Sequence, residues 1–91
     1  MGNGAMEFEK KFIELIKQEL TQRCAENATS KKEIAERAYP DRAKPDNIWT
    51  EIFNNGKRIN LEDVYRLCRA FELNVPDFIW RVWKELQTPK S

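Results

Sequence analysis

Ninety-one residues, 41% of them hydrophobic and 34% charged, fit one compact domain and leave no room for a second core. Sixteen Lys and Arg against fifteen Asp and Glu give a net charge of +1, short of the strongly basic balance of a nonspecific nucleic-acid binder. Two cysteines without a histidine cannot build a structural zinc set, and no stretch approaches the ~20 apolar residues of a membrane helix, nor does a basic-then-apolar leader open the chain. The expectation is a cytoplasmic protein with no cofactor, no metal and no membrane attachment.

Residues 1–6 are expected to be a disordered N-terminus or an appended remnant, residues 7–87 the domain, and residues 88–91 a tail. From Phe8 to Cys24 the apolar residues Phe8, Phe12, Ile13, Leu15, Ile16, Leu20 and Cys24 recur at three- and four-residue steps, which predicts an amphipathic first helix. Ser30 followed by Glu33 is a capping box for a short second helix with Ile34, Ala35 and Ala38 inward. Tyr39-Pro40 ends it, because proline disfavours helical backbone in the residue before it.

After the loop Asp41-Arg42-Ala43-Lys44, a third helix is expected to begin within Pro45-Asp46 and to stop near Asn54, with Gly56 as its left-handed cap. Asn60 with Asp63 caps a fourth helix, whose stripe is Leu61, Val64, Tyr65, Cys68 and Phe71. Asn74 with Asp77 caps a fifth, carrying Val75, Phe78, Ile79, Val82, Trp83 and Leu86. No alternating strand pattern occurs, so the fold class is all-α. Cys24 and Cys68, outside any CxxC pattern, read as small buried apolar residues, although a single disulfide between them stays open.

The third helix carries the functional pattern. At 100° per residue, Ile48, Trp49, Ile52 and Phe53 share one face, read as core, and Asn47, Thr50, Glu51 and Asn54 share the other. Short and amide-bearing side chains of this kind reach base edges from a helix lying in a major groove. Cations flank the stripe: Lys31 and Lys32 at the start of the second helix, Arg42 and Lys44 before the third, Lys57 and Arg58 after it. Flanking cations that hold phosphates around central groups that read bases are the division of labour of a groove-reading helix. The middle of the chain also holds the basic excess, with seven basic and five acidic residues over 28–60.

Three segments carry a resemblance: Ser30-Lys-Lys-Glu-Ile-Ala-Glu-Arg37, Asn55-Gly-Lys-Arg58, and Leu61 through Leu73 with its Leu-x-x-Val-x-x-Leu step. Together they resemble the lambda-repressor-like, XRE-type helix-turn-helix domain over about residues 29–79. The resemblance implies a compact five-helix domain whose second and third helices form the motif, with Ala35 as the small residue that lets them approach. It implies sequence-specific binding of double-stranded DNA by a small transcriptional regulator, with residues 45–54 as recognition helix. Two departures stand out. Tyr39-Pro-Asp-Arg-Ala-Lys-Pro45 replaces the usual short turn, and the segment after Gly56 is one residue shorter, which leaves the register of the third helix open.

Catalysis finds no support, since glycines at 2, 4 and 56 make no phosphate-cradling loop, a histidine base is lacking, and no small-molecule substrate is evident. The alternative is a helical protein-interaction module that keeps the fold without operator binding. Trp80 falls outside the inward stripe of the fifth helix, one turn from Trp83. Aromatic composition of this kind favours interfaces, and a homodimer through Trp80 and Trp83 is expected, against packing of Trp80 on the first helix near Phe8 or Phe12.

Overall fold

The computed structural model describes residues 4–26 and 29–87, with side chains from residue 7 onward. Over them the chain forms five α-helices and no strand: α1 (Gly4–Ala25), α2 (Lys31–Ala38), α3 (Asn47–Phe53), α4 (Leu61–Ala70) and α5 (Val75–Gln87). The all-helical expectation holds over these residues. Helix α1 takes in residues 4–6, which the sequence pattern leaves outside the domain; the rest of the expected N-terminal segment and the expected tail 88–91 lie outside the described residues.

At 22 residues α1 is about 33 Å long, which accounts for most of the 38 Å long axis of the molecule. Its apolar face buries Phe12, Leu15, Ile16 and Leu20 and half-buries Phe8, Ile13 and Cys24. This face packs along α5, where the Phe12 and Phe78 rings meet edge-on at 5.5 Å. Beside that contact Glu19 accepts from Arg23 at 3.3 Å and from Arg81 at 3.1 Å. Helix α3 also touches α1, with the Lys17 ammonium 5.6 Å above the Phe53 ring.

The local caps form as their spacing predicts. Glu33 N–H donates to Ser30 Oγ at 3.2 Å while Ser30 N–H donates to Glu33 Oε1 at 3.1 Å, and Asn60 with Asp63 repeats the exchange at the head of α4. At the head of α5, Asp77 N–H donates to Asn74 Oδ1 at 3.1 Å. Gly56 has a φ of +70°, the left-handed region where a Cβ is strained, and Lys57 N–H returns to the Glu51 carbonyl at 2.9 Å. The end of α4 uses the same left-handed turn without glycine: Glu72 stands at a φ of 60°, closed by bonds from Leu73 N–H to Cys68 O and from Glu72 N–H to Arg69 O.

Four expectations need correction. Helix α3 begins at Asn47, not at Pro45 or Asp46. The N–H groups of Asn47, Ile48 and Trp49 each donate three residues back, a tight lead-in turn, and Asp46 makes no side-chain cap bond. On α4, Val64, Leu67, Cys68 and Phe71 already complete an i, i+3, i+4, i+7 stripe, so Tyr65 falls outside it; Leu61, in the first turn, is 82% exposed. On α5 the inward face is Phe78 and Val82 with Val75, Ile79 and Leu86 partly buried, and Trp83 turns out to join Trp80. Phe53 is half-buried, stacked on Trp49 at 5.7 Å instead of sealed in the core.

Cys24 and Cys68 are both free thiols. Burial pushes the Cys68 thiol up to about 11, which keeps it protonated and unreactive at neutral pH. Among the described residues no helix is long and apolar enough to cross a membrane.

Candidate functional site

The segment between α2 and α3 is an ordered loop held from both sides. Tyr39 is buried, and its hydroxyl donates to Asp63 Oδ1 at 2.7 Å, a bond between the loop and α4 across 24 residues of sequence. Burial first, and then this carboxylate, raise the Tyr39 pKa well above the ordinary phenol range. The Arg42 and Arg66 guanidinium groups lie 5.8 and 5.3 Å from the Tyr39 ring centre. Arg66 Nη1 donates to the Ala38 carbonyl at 3.0 Å and to Asp41 at 3.3 Å, and its Nε to Glu62 at 3.0 Å. The extended turn is thereby pinned to α4 at its beginning.

At its middle the loop is pinned to α3. Arg42 forks onto Glu51, with Nη2 to Oε2 at 2.7 Å and Nη1 to Oε1 at 3.3 Å. That hydrogen bond lowers the Glu51 pKa and raises that of Arg42. A further bond links α3 to the first turn of α2, from Trp49 Nε1 to the Lys31 carbonyl at 2.9 Å. Trp49 itself is buried, so this contact fixes how α3 sits against the start of α2.

On this frame Asn47, Thr50 and Asn54 stand exposed along α3, opposite the buried Ile48, Trp49 and Ile52. Glu51 departs from the expected base-reading stripe, because it is half-buried and occupied by Arg42. Arg42 is for the same reason not an unpaired phosphate ligand. Among the flanking cations, Lys31, Lys32 and Lys44 are exposed and have no ion pair among the described residues.

Lys57 and Arg58 carry internal partners instead. Lys57 Nζ lies 3.4 Å from the Asp63 carboxylate and 3.4 Å from the Arg58 carbonyl. Arg58 Nε donates to both oxygens of Glu9 at 3.1 Å, and Ile59 N–H reaches the same carboxylate at 2.9 Å. These bonds, the backbone one first, lower the Glu9 pKa. The Arg58 side chain is still 80% exposed, so its ion pair is of the weak, screened kind.

The residues that order this region without announcing themselves in the sequence are Tyr39, Asp63 and Arg66. Asp63 has a local signal, its spacing from Asn60, but that signal speaks only of a helix cap. Trp80 and Trp83 lie apart from α3, on the outer face of α5. They are 57% and 46% exposed, stacked at 5.0 Å, and border an apolar cleft formed with Phe8, Val75, Pro76 and Ile79. Comparison with protein-family models, with curated proteins and with solved structures yields no match.

Proposed function

We propose that the protein is a sequence-specific double-stranded DNA-binding domain of lambda-repressor-like, helix-turn-helix type. Helices α2 and α3 are the motif, residues 39–46 its extended turn, and α3 the helix that enters the major groove. The observation that carries this reading is the exposed amide and hydroxyl stripe of Asn47, Thr50 and Asn54, adjoining the unpaired Lys31 and Lys32 through the Trp49–Lys31 bond. Amide side chains can pair bidentately with adenine, and threonine serves either as donor or as acceptor, so the stripe is suited to base edges. Lys31 and Lys32 stand at the positive end of α2, where a phosphate is favoured by backbone N–H groups and side-chain charge together. Lys44 adds a third unpaired cation from the loop.

Selection of bound sequences from a random duplex pool tests the reading. Asn47→Ala or Thr50→Ala should then cost about 1–3 kcal/mol on the selected site and much less on random duplex. Equal losses on both would reduce the stripe to a solvated face.

The exposed Trp80–Trp83 pair supports a homodimer that presents two α3 helices to successive half-sites. It equally supplies the surface for the second reading, a helical protein-interaction module. Sedimentation equilibrium of the parent and of Trp80→Glu separates these: the dimer reading expects a parent pair that the substitution dissociates.

A further inference from the structure

Away from α3, helices α2 and α4 flank a second concave surface that is open to solvent. Arg37, Ala38, Glu62, Tyr65, Arg66 and Arg69 line a pocket of about 300 Å³. Three guanidinium groups therefore face one carboxylate. Glu62 is bound to Arg66, and so is Asp41 at the rim. Arg37 and Arg69 have no carboxylate partner among the described residues.

Arg69 is held in place by Tyr65. Its Nη1 donates to the Tyr65 hydroxyl at 2.7 Å, and its guanidinium lies 5.5 Å from the ring centre. A phenol oxygen that accepts from arginine must turn its own proton elsewhere, and no described residue accepts it. The wall thus offers two guanidinium groups with unpaired charge and one exposed hydroxyl whose proton is free to be donated. That set complements a dianion with several oxygens better than it does a single carboxylate.

We propose that this pocket binds the phosphoryl group of a small molecule, with Arg37 and Arg69 forking onto its oxygens and Tyr65 donating its hydroxyl proton. Arg66 positions the wall through Ala38, Asp41 and Glu62 and does not itself need to reach the ligand. The proposal does not rest on the DNA-binding reading and stands whether or not the protein binds an operator.

The test is a titration of the full chain, followed by backbone amide NMR, with inorganic phosphate and separately with a nucleoside monophosphate. The pH is kept well above the second pKa of both probes, about 6 for the phosphate ester and higher for inorganic phosphate, so that each is a dianion, and ionic strength is matched with sodium chloride. Saturable shifts centred on Arg37, Tyr65 and Arg69, with a dissociation constant of about 1 mM or tighter, are expected. Arg69→Gln and Arg37→Gln should each weaken binding about tenfold, as loss of a charge-assisted bond does, while Lys10→Gln on α1 should not change it. Tighter binding of the nucleotide marks the ligand as an ester, and equal binding marks it as free phosphate. Shifts that never saturate, equal saturation by acetate, or unchanged affinity in Arg69→Gln would overturn the proposal. So would a duplex weakened by Arg69→Gln when neither small anion saturates, since the pair would then be a DNA backbone contact.

Discussion

The two halves of the molecule are held together by different physics. Helices α1 and α5 pack through the apolar core, where Phe12 meets Phe78 edge-on, with the Glu19–Arg81 bridge at the edge. The α2–α4 half also has an apolar interior, but its loop is fixed by directional bonds: Tyr39 to Asp63, Arg66 to Ala38 and Asp41, Arg42 to Glu51, Trp49 to Lys31. Apolar packing is nondirectional and sets how strongly elements associate; hydrogen bonds of fixed geometry set where they sit. The candidate reading face lies on the half whose loop is positioned by these bonds, and the apolar Trp80–Trp83 surface lies on the half held chiefly by apolar packing. A helix that reads base edges needs the first kind of support, because its side chains must be held in register.

The largest expected effect is on the packed half. Phe12→Ala removes a fully buried ring and its edge contact with Phe78 and should cost about 3–5 kcal/mol, much of the roughly 5–15 kcal/mol that such a domain possesses. Urea denaturation measures it, and a loss below about 1 kcal/mol would show that α1 and α5 do not share a core.

Next in size is Tyr39→Phe, which keeps the ring but orphans one oxygen of the buried Asp63. It should cost about 1–3 kcal/mol. Amide exchange in residues 39–46 should rise more than in α1, and equal changes in both halves would break the distinction drawn between them.

The smallest effect is one of pH. Glu51 has its folded pKa lowered below the ordinary 4.5 by Arg42, so its contribution is fully present above that value and is lost as pH falls through the lower folded value. The stability difference between parent and Glu51→Gln should therefore shrink on acidification through this window. Urea midpoints that keep a constant difference from neutral pH into acid would mean that the Arg42–Glu51 clasp does not hold the loop in solution.

How much of this was legible in the sequence follows from the range of each interaction. The caps at Ser30, Asn60 and Asn74 and the turn at Gly56 are written in residues three or four apart, and they form as spacing predicts. The exposed positions of Asn47, Thr50 and Asn54 follow from helical periodicity alone. The start of α3 does not, because Pro45 and Asp46 sit in a loop whose shape is imposed by Arg66 on Asp41, 25 residues away, and by Arg42 on Glu51.

Nor could composition reveal which flanking cations are unpaired. Arg58 finds Glu9 across 49 residues, and Glu51 finds Arg42 across nine. Trp83 shows the remaining limit: periodicity gives its angle on α5, but which neighbour covers a given angle is decided by how α1 and α4 lie against that helix.

The central claim is that α3 reads DNA while unpaired cations at the start of α2 hold its backbone. Its most direct test is the salt dependence of duplex binding by the parent, by Lys31→Ala/Lys32→Ala and by Lys57→Ala/Arg58→Ala. Each lost phosphate contact lowers the slope of log K against log salt by about 0.9. The Lys31/Lys32 double variant should lose a slope of nearly two and weaken all sequences alike. The Lys57/Arg58 variant should lose less, because those side chains must leave Asp63 and Glu9 to reach a phosphate. A parent whose duplex binding is insensitive to salt, or a Lys31/Lys32 variant with the parent's slope, would contradict the account.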